Sequence, residues 1–161
     1  MVYSLYDGTI VTAKSALISL AYILHQAEQH PNSAGLLTAR LQEDMKPLTS
    51  QIHIATQVTE KMLARLSGRE PVVYDDNLEC YAQLYERLEN SIRALSEADK
   101  DIVNQRGEEV EATVLGPDRI LPMSGAAFVN GTAIPNIFFH LTIVYAILRK
   151  EGVLLGNETT S

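Results

Sequence analysis

Four polar residues stand where a helical pattern calls for apolar ones. In the C-terminal third, Ala133, Asn136, Ile137, His140, Val144 and Ile147 recur at three-and-four spacing. That spacing puts Asn136 and His140 one turn apart on a single helix face. Upstream, Asp44, Leu48, Gln51, Ala55, Val58 and Met62 repeat the pattern, with Asp44 and Gln51 two turns apart. An unpaired polar group in apolar surroundings costs roughly 1–3 kcal/mol by mutational scales, so the two pairs are expected to face one another. The chemistry open to such a quartet is proton transfer. His140 acts as acid or base, Asp44 orients it, and Gln51 and Asn136 hold a ligand. The same four residues equally suit a buried hydrogen-bond network that only fixes helix register. Tyr6, on the apolar face of the first helix, and Tyr145, in the last, are further ligand-binding candidates.

Other chemistries find less support. Histidine pairs one turn apart bind metals on helices, but here the pair is Asn136 and His140. His53 shares its line with Lys46, Thr49, Ser50, Gln57 and Glu60, so it is expected on the solvent side. His25 and His30 fall late in the first helix, where a histidine suits the negative end of the dipole. No metal or other cofactor is therefore expected. Cys80 is the single cysteine, which excludes an internal disulfide and fits a reducing, cytoplasmic setting. It reads as an ordinary, partly buried thiol within a helix. No glycine-rich phosphate loop, dinucleotide fingerprint or nucleophile elbow is present. Asp75-Asp76-Asn77-Glu79 lacks the glycine and spacing of a calcium loop and reads as the cap of the third helix. Lys and Arg number 13 against 20 Asp and Glu, for a net charge of −7, and the basic residues are scattered. Neither nucleic acid nor an anionic membrane is an expected partner.

The elements that must position these residues are helical. The chain has 161 residues, 46% of them apolar, enough for one domain over 1–155 with a loose polar tail at 156–161. Periodicity predicts a first helix from Asp7, its cap, to His30. A second runs from Ser33 to Leu66 and is closed by Ser67-Gly68, with Pro47 kinking or breaking it near Glu43. A third spans Asn77 to Leu95, and a further helical turn follows over Glu97–Asn104. The period then changes to two. Glu109–Leu115 and Arg119–Met123, around Gly116-Pro117-Asp118, predict a small hairpin. Ser124 caps a last helix from Gly125 to Lys150, interrupted at Pro135 and ended by Gly152. Ala126–Leu148 has the length of a membrane span. Asn130, Pro135, Asn136 and His140 within it favour a central buried helix instead. The N-terminus has neither a basic start nor an unbroken apolar run, so it does not read as a signal peptide. The fold class expected is all-α, a four-helix bundle with a β-hairpin before the last helix.

Three segments carry a resemblance: Ser4-Leu5-Tyr6-Asp7 with Thr9-Ile10; Arg40 to Leu48 with Gln51; and Ala133-Ile134-Pro135-Asn136-Ile137-Phe138-Phe139-His140-Leu141 running on to Tyr145-Ala146-Ile147-Leu148-Arg149. Together they resemble a family of fungal and bacterial proteins, known as a domain of unknown function, within the DinB-like superfamily of four-helix bundles. The resemblance implies an up-down-down-up bundle, often dimeric. Many DinB-like proteins bind a divalent metal through three histidines, and some are thiol-dependent transferases or isomerases. Asn136 stands where the first histidine of the last-helix pair would be, so the resemblance carries the fold further than it carries the metal.

The function expected is binding of a small apolar or mixed-polarity molecule. In its enzymatic form it is a metal-independent acid–base isomerase, dehydratase or cyclase of fungal secondary metabolism, using His140 and Asp44. The alternatives are a non-catalytic binding or structural dimer with a buried polar network, and a metal-dependent transferase or isomerase of the DinB-like kind. An apolar first helix with Tyr3, Tyr6 and Tyr22 near it leaves an uncovered strip, so a two-fold homodimer is expected. Sedimentation at micromolar concentration should show a dimer; monomer alone overturns this expectation.

Overall fold

The computed structural model describes residues 2–156; the expected polar tail lies, beyond Gly156, outside them. The chain enters through a turn in which Asp7 is not the cap. Ser4 precedes the helix, and the Asp7 carboxylate reaches back to accept from the Ser4 N–H at 2.9 Å and its hydroxyl at 3.0 Å. Asp7 thus fills the acidic position of a capping box, and the Ser4 N–H, then its hydroxyl, hold its pKa below the usual value. A π-turn, Asp7–Val11, leads into α1, Thr12–Glu28. Ala13, Ala16, Leu17, Leu20, Leu24 and Ala27 form the buried stripe of α1.

Pro47 does more than kink the second helix. The predicted run from Ser33 is only a short α2, Ser33–Leu36, then an irregular connector over 37–47, then α3, Leu48–Ser67. Pro47 is extended, at φ −69° and ψ 168°. It offers no N–H, and it pushes the residue before it out of the helical region. The connector folds back on itself: Leu48 N–H donates to Ala39 O at 2.9 Å, and Arg40 Nη1 to Met45 O at 2.6 Å. At its other end α3 stops as expected. Gly68 takes φ 75°, and its N–H donates to Ala64 O, a left-handed cap that suits glycine.

A strap over 69–80 then crosses the outer face of α3 to α4, Tyr81–Ser96. It is fastened by side chains of α3. Glu60, only 5% exposed, accepts two bonds from the Arg69 guanidinium at 2.8 Å and one from Val72 N–H at 2.7 Å. Gln57 donates to Val72 O and accepts from Tyr74 N–H, while Ser50 donates to Asp76. Asp75 and Asp76 therefore belong to the strap and do not cap α4 as expected. Cys80 occupies the cap position in extended conformation and is exposed, not partly buried in a helix.

The predicted helical turn is α5, Lys100–Arg106, capped by Asp99, which accepts from Ile102 N–H at 3.0 Å. The predicted hairpin follows as β1, Val110–Gly116, paired antiparallel with β2, Arg119–Ser124. A two-stranded hairpin is marginal alone, and Arg65 of α3 clamps this one. Its guanidinium donates to Thr113 Oγ1 at 2.9 Å and Met123 O at 2.6 Å, and lies 3.6 Å from Glu111. Ser124 caps the last helical run as expected, accepting from Ala127 N–H at 3.1 Å. That run is continuous: α6, Gly125–Phe128, a π-turn, Val129–Ala133, and α7, Ile134–Lys150. Pro135 does not interrupt it. Ile134 N–H reaches back five residues to Val129 O, and the π-turn absorbs the missing proline donor just where α7 begins.

The helix directions follow from cross-contacts. Tyr85 of α4 stacks on His25 near the end of α1, and Tyr81 donates to Ser33 O, so α1 and α4 are antiparallel. Gln51 meets His140 and Arg65 meets Phe128, so α3 and α7 are antiparallel. The ends of α1 and α7 lie together, since Lys150 donates to Arg40 O and Gly152 sits by His30. The bundle is up-down-down-up, with its core of Leu and Ile side chains between α1, α3, α4 and α7. Two stretches, Asp7–Glu28 and Gly125–Lys150, are long and apolar enough to cross a membrane by length and composition. Both pack in the bundle, but α7 is a flank and not the central helix expected: Phe138, Phe139 and Tyr145 stay exposed.

Burial alone would raise the Glu60 pKa, but the Arg69 and Val72 bonds outweigh it and hold it below the usual carboxylate value. Its contribution to stability is therefore present above the unfolded-state pKa and lost as pH falls through the folded one. Glu60→Gln should lower unfolding free energy by about 1–3 kcal/mol at neutral pH and flatten the acid limb of a pH–stability profile. Denaturant melts of the two proteins between pH 3 and 7 check this.

Candidate functional site

The site is built where α3 begins beside the middle of α7. Because Pro47 starts α3 at Leu48, Gln51 lies in its first turn, 3% exposed. Its Nε2 donates to Lys46 O at 3.0 Å, the carbonyl just ahead of the proline. A carbonyl can only accept, so this bond fixes the amide orientation and turns Oε1 toward α7. There Oε1 lies 2.6 Å from His140 Nδ1. An amide oxygen can only accept in turn, so Nδ1 carries the proton and Nε2 keeps the lone pair. Burial lowers the pKa of His140 below its ordinary 6.5, favouring this neutral tautomer at physiological pH. The Phe139 ring meets the imidazole edge-on, centroids 5.2 Å apart. The arrangement is a half-buried imidazole with fixed tautomer, which can take up a proton at Nε2.

Asp44 is not part of it. It lies in an exposed turn of the connector, off the helix that would have carried it to His140. The contact with His140 expected of Asp44 is made by Gln51 instead. This also decides the sign of the His140 shift, since desolvation acts with no opposing carboxylate.

Asn136, one turn before His140, opens on a groove of about 330 Å3. Val58 and Lys61 of α3, Phe128, Thr132 and Ala133 of the last helical run, and the hairpin at 114–116 line it with Asn136. Tyr6 and Tyr145 are elsewhere. The Tyr6 N–H donates to Asn104 Oδ1 at 3.0 Å and its ring lies 5.9 Å from the Lys100 ammonium, at the α5 end of the bundle. Tyr145 sits on the exposed face of α7. Sequence reasoning missed Lys61, Phe128 and Thr132. The one signal for Lys61 was its place a helical step beyond Val58 on the α3 line.

His53 departs from its expected solvent position. The strap and α4 cover that side of α3, leaving His53 half-buried with Nδ1 3.1 Å from Arg87 Nη1. Arginine can only donate, so His53 Nδ1 accepts. Burial, above the opposing pull of Asp76, lowers its pKa. Arg87 itself lies over the Tyr74 ring at 4.3 Å and donates to Asp75 O, so this cluster ties the strap to α4.

The metal implied by the DinB-like resemblance does not fit these residues. The donor set is one imidazole and two carboxamides, and the Gln51 oxygen is already engaged by His140. Neutral amides are poor ligands for the metals that such folds hold through histidines. Among the described residues no group of three or more His, Cys, Asp or Glu could hold an ion.

The profile of one protein family, a domain of unknown function (DUF1993), matches residues 5–159. The chain belongs to this family. Among solved structures this DUF1993 chain is similar to a DinB family member protein from Shewanella denitrificans. The two are 28% identical over 96% of this chain and 89% of that one, with a TM-score of 0.84. The DUF1993 chain is thus a DinB-like helical bundle. No curated protein matches it.

The lowered pKa of His140 makes stability depend on pH. Between 6.5 and the lower folded value the unfolded chain binds the proton that the native DUF1993 protein refuses. Stability from this group is full above about 6.5, the ordinary histidine pKa, and is lost as pH falls toward the folded value. NMR titration of the His140 ring should give a pKa below 6.5 and an Nδ1–H tautomer. A value above that, or an Nε2–H tautomer, overturns the assignment.

Proposed function

We propose that this protein binds a small organic molecule in the α3/α7 groove and that His140 Nε2 serves as a proton acceptor toward it, in metal-independent isomerisation, dehydration or cyclisation. The observation that carries this reading is the 2.6 Å bond that His140 Nδ1 donates to Gln51 Oε1. It fixes the Nδ1–H tautomer and leaves Nε2 as the one basic nitrogen, while burial favours the neutral form that a general base needs near neutral pH. Gln51 acts as the positioning residue, and Asn136, one turn before His140, lines the groove. The single exposed Cys80 accords with a cytoplasmic setting.

A second reading has its own observation. Gln51 joins the connector, α3 and α7 through two side-chain bonds, which is also what a register-fixing network does. The two readings predict different losses on replacing His140. If His140 is the base, a folded His140→Gln protein should lose catalysis by about 100- to 10,000-fold with little change in melting temperature. If it is a lock, His140→Ala should instead cost about 1–3 kcal/mol of stability by stranding Gln51.

A panel of enolisable β-dicarbonyl compounds provides the assay, with deuterium uptake at the acidic carbon followed by NMR. The base reading requires exchange by the parent protein that fails in His140→Gln. Exchange absent in the parent, or equal in both, removes it.

A further inference from the structure

We infer that the groove of about 330 Å3 beside Asn136 is a carboxylate site, which takes an elongated organic anion with its charged end at Lys61 and its apolar body against Val58 and Phe128. The inference rests on the reading of this groove as a ligand site and adds the class of ligand.

Charge is the first argument. The chain carries 20 acidic residues against 13 lysines and arginines, so a surface groove without an acidic residue is unexpected. Yet the only charged residue lining this one is Lys61. The cations around it are engaged. Arg65 bonds to Thr113 and Met123 beside Glu111, Arg69 pairs with Glu60, and Arg106 pairs with Glu109 and Glu111. Among the described residues Lys61 has neither a hydrogen bond nor an ion pair. The other two polar side chains in the lining, Thr132 and Asn136, make no side-chain hydrogen bond either. A cation, a hydroxyl and a carboxamide therefore share one small groove with their donors free, and together they match an oxyanion.

The apolar half is equally defined. Val58 comes from α3 and Ala133 from the π-turn that precedes α7, and the Phe128 ring is held from one side by the Arg65 guanidinium, 5.7 Å from its centroid. The volume is at the lower end of ligand pockets, about 300–1,000 Å3. It suits one small molecule with a single apolar body.

Length follows from the helix. Lys61 is ten residues beyond Gln51 on α3, about 15 Å along its axis. A ligand anchored at Lys61 must be elongated for its far end to approach His140, past Asn136 one turn away. That geometry makes octanoate the probe, with octanol and octylamine as its neutral and cationic counterparts.

Octanoate titrated into 15N-labelled protein should move the amides of Val58, Lys61, Thr132 and Asn136 along a saturating curve. Octanol should bind at least about fivefold more weakly and octylamine weaker still. Lys61→Met, which keeps the stem and removes the charge, should weaken octanoate about tenfold, the loss of one charge-assisted bond, and leave octanol unchanged. Lys100→Met, on α5 and outside the lining of the groove, should change neither. Added salt should weaken octanoate alone.

Equal affinity for the three probes overturns the inference. So does octanoate binding that Lys61→Met leaves intact, or shifts confined to another face. The two proposals fail separately. Octanoate that binds through Lys61 in both parent and His140→Gln, while dicarbonyl exchange is absent, leaves the carboxylate site and removes the base. Exchange that depends on His140 without any octanoate binding does the reverse.

Discussion

Hydrogen bonding from one helix holds the bundle's irregular parts in place. Four polar side chains of α3 fasten segments outside the four bundle helices: Gln51 the connector over 37–47, Glu60 and Gln57 the strap over 69–80, and Arg65 the two-stranded hairpin. Irregular backbone at a protein surface leaves donors and acceptors that need partners, and α3 supplies them in chain order. The helix can do so because its other side, Leu48, Ile52, Ala55, Met62 and Leu66, is fully buried in the core. One face of α3 joins the core, and its polar side chains hold the connector, the strap and the hairpin.

The Gln51–His140 bond extends that logic across the core edge. Both atoms of the Gln51 amide are used, one on a carbonyl and one on an imidazole, so the group is satisfied only with both helices in place. A histidine at such a position has its charge state set by its surroundings. Desolvation favours neutrality, and the amide oxygen favours a proton on Nδ1. Where the DinB-like resemblance implies three histidines, this chain has one histidine held by an amide.

The groove owes its shape to a backbone irregularity. Pro135 cannot donate to the preceding turn, and the π-turn at Val129–Ala133 takes up the mismatch without stopping the helix. Thr132 and Ala133 of that turn line the groove, opposite Val58 and Lys61 of α3 and closed from above by the clamped hairpin. The same clamp at Arg65 fixes Phe128. Proline, π-turn, hairpin and arginine thus act on one volume, which is why chemistry-bearing side chains collect there.

Much of this was legible in the sequence because it is local. Helical stripes, the Gly68 stop, the Ser124 cap and the hairpin over 110–124 depend on residues within a few positions of one another. His140, Gln51 and Asn136 stood out because polar groups on apolar stripes need partners. Asp44 failed because the argument that put it on the Gln51 line assumed an unbroken helix. Phase along a helix survives only while the backbone stays helical, and Pro47 ends it three residues later. His53 failed for the complementary reason: its own helix face is polar, and only the strap and α4, far away in sequence, cover it. Lys61 looked like an ordinary solvated lysine until the hairpin and the π-turn enclosed the space beside it. The sequence by itself determined which stretches are helices and which polar residues needed partners. The tertiary structure decided which partners they found, because pairing across a bundle depends on connectors and crossings whose paths are set by long-range packing.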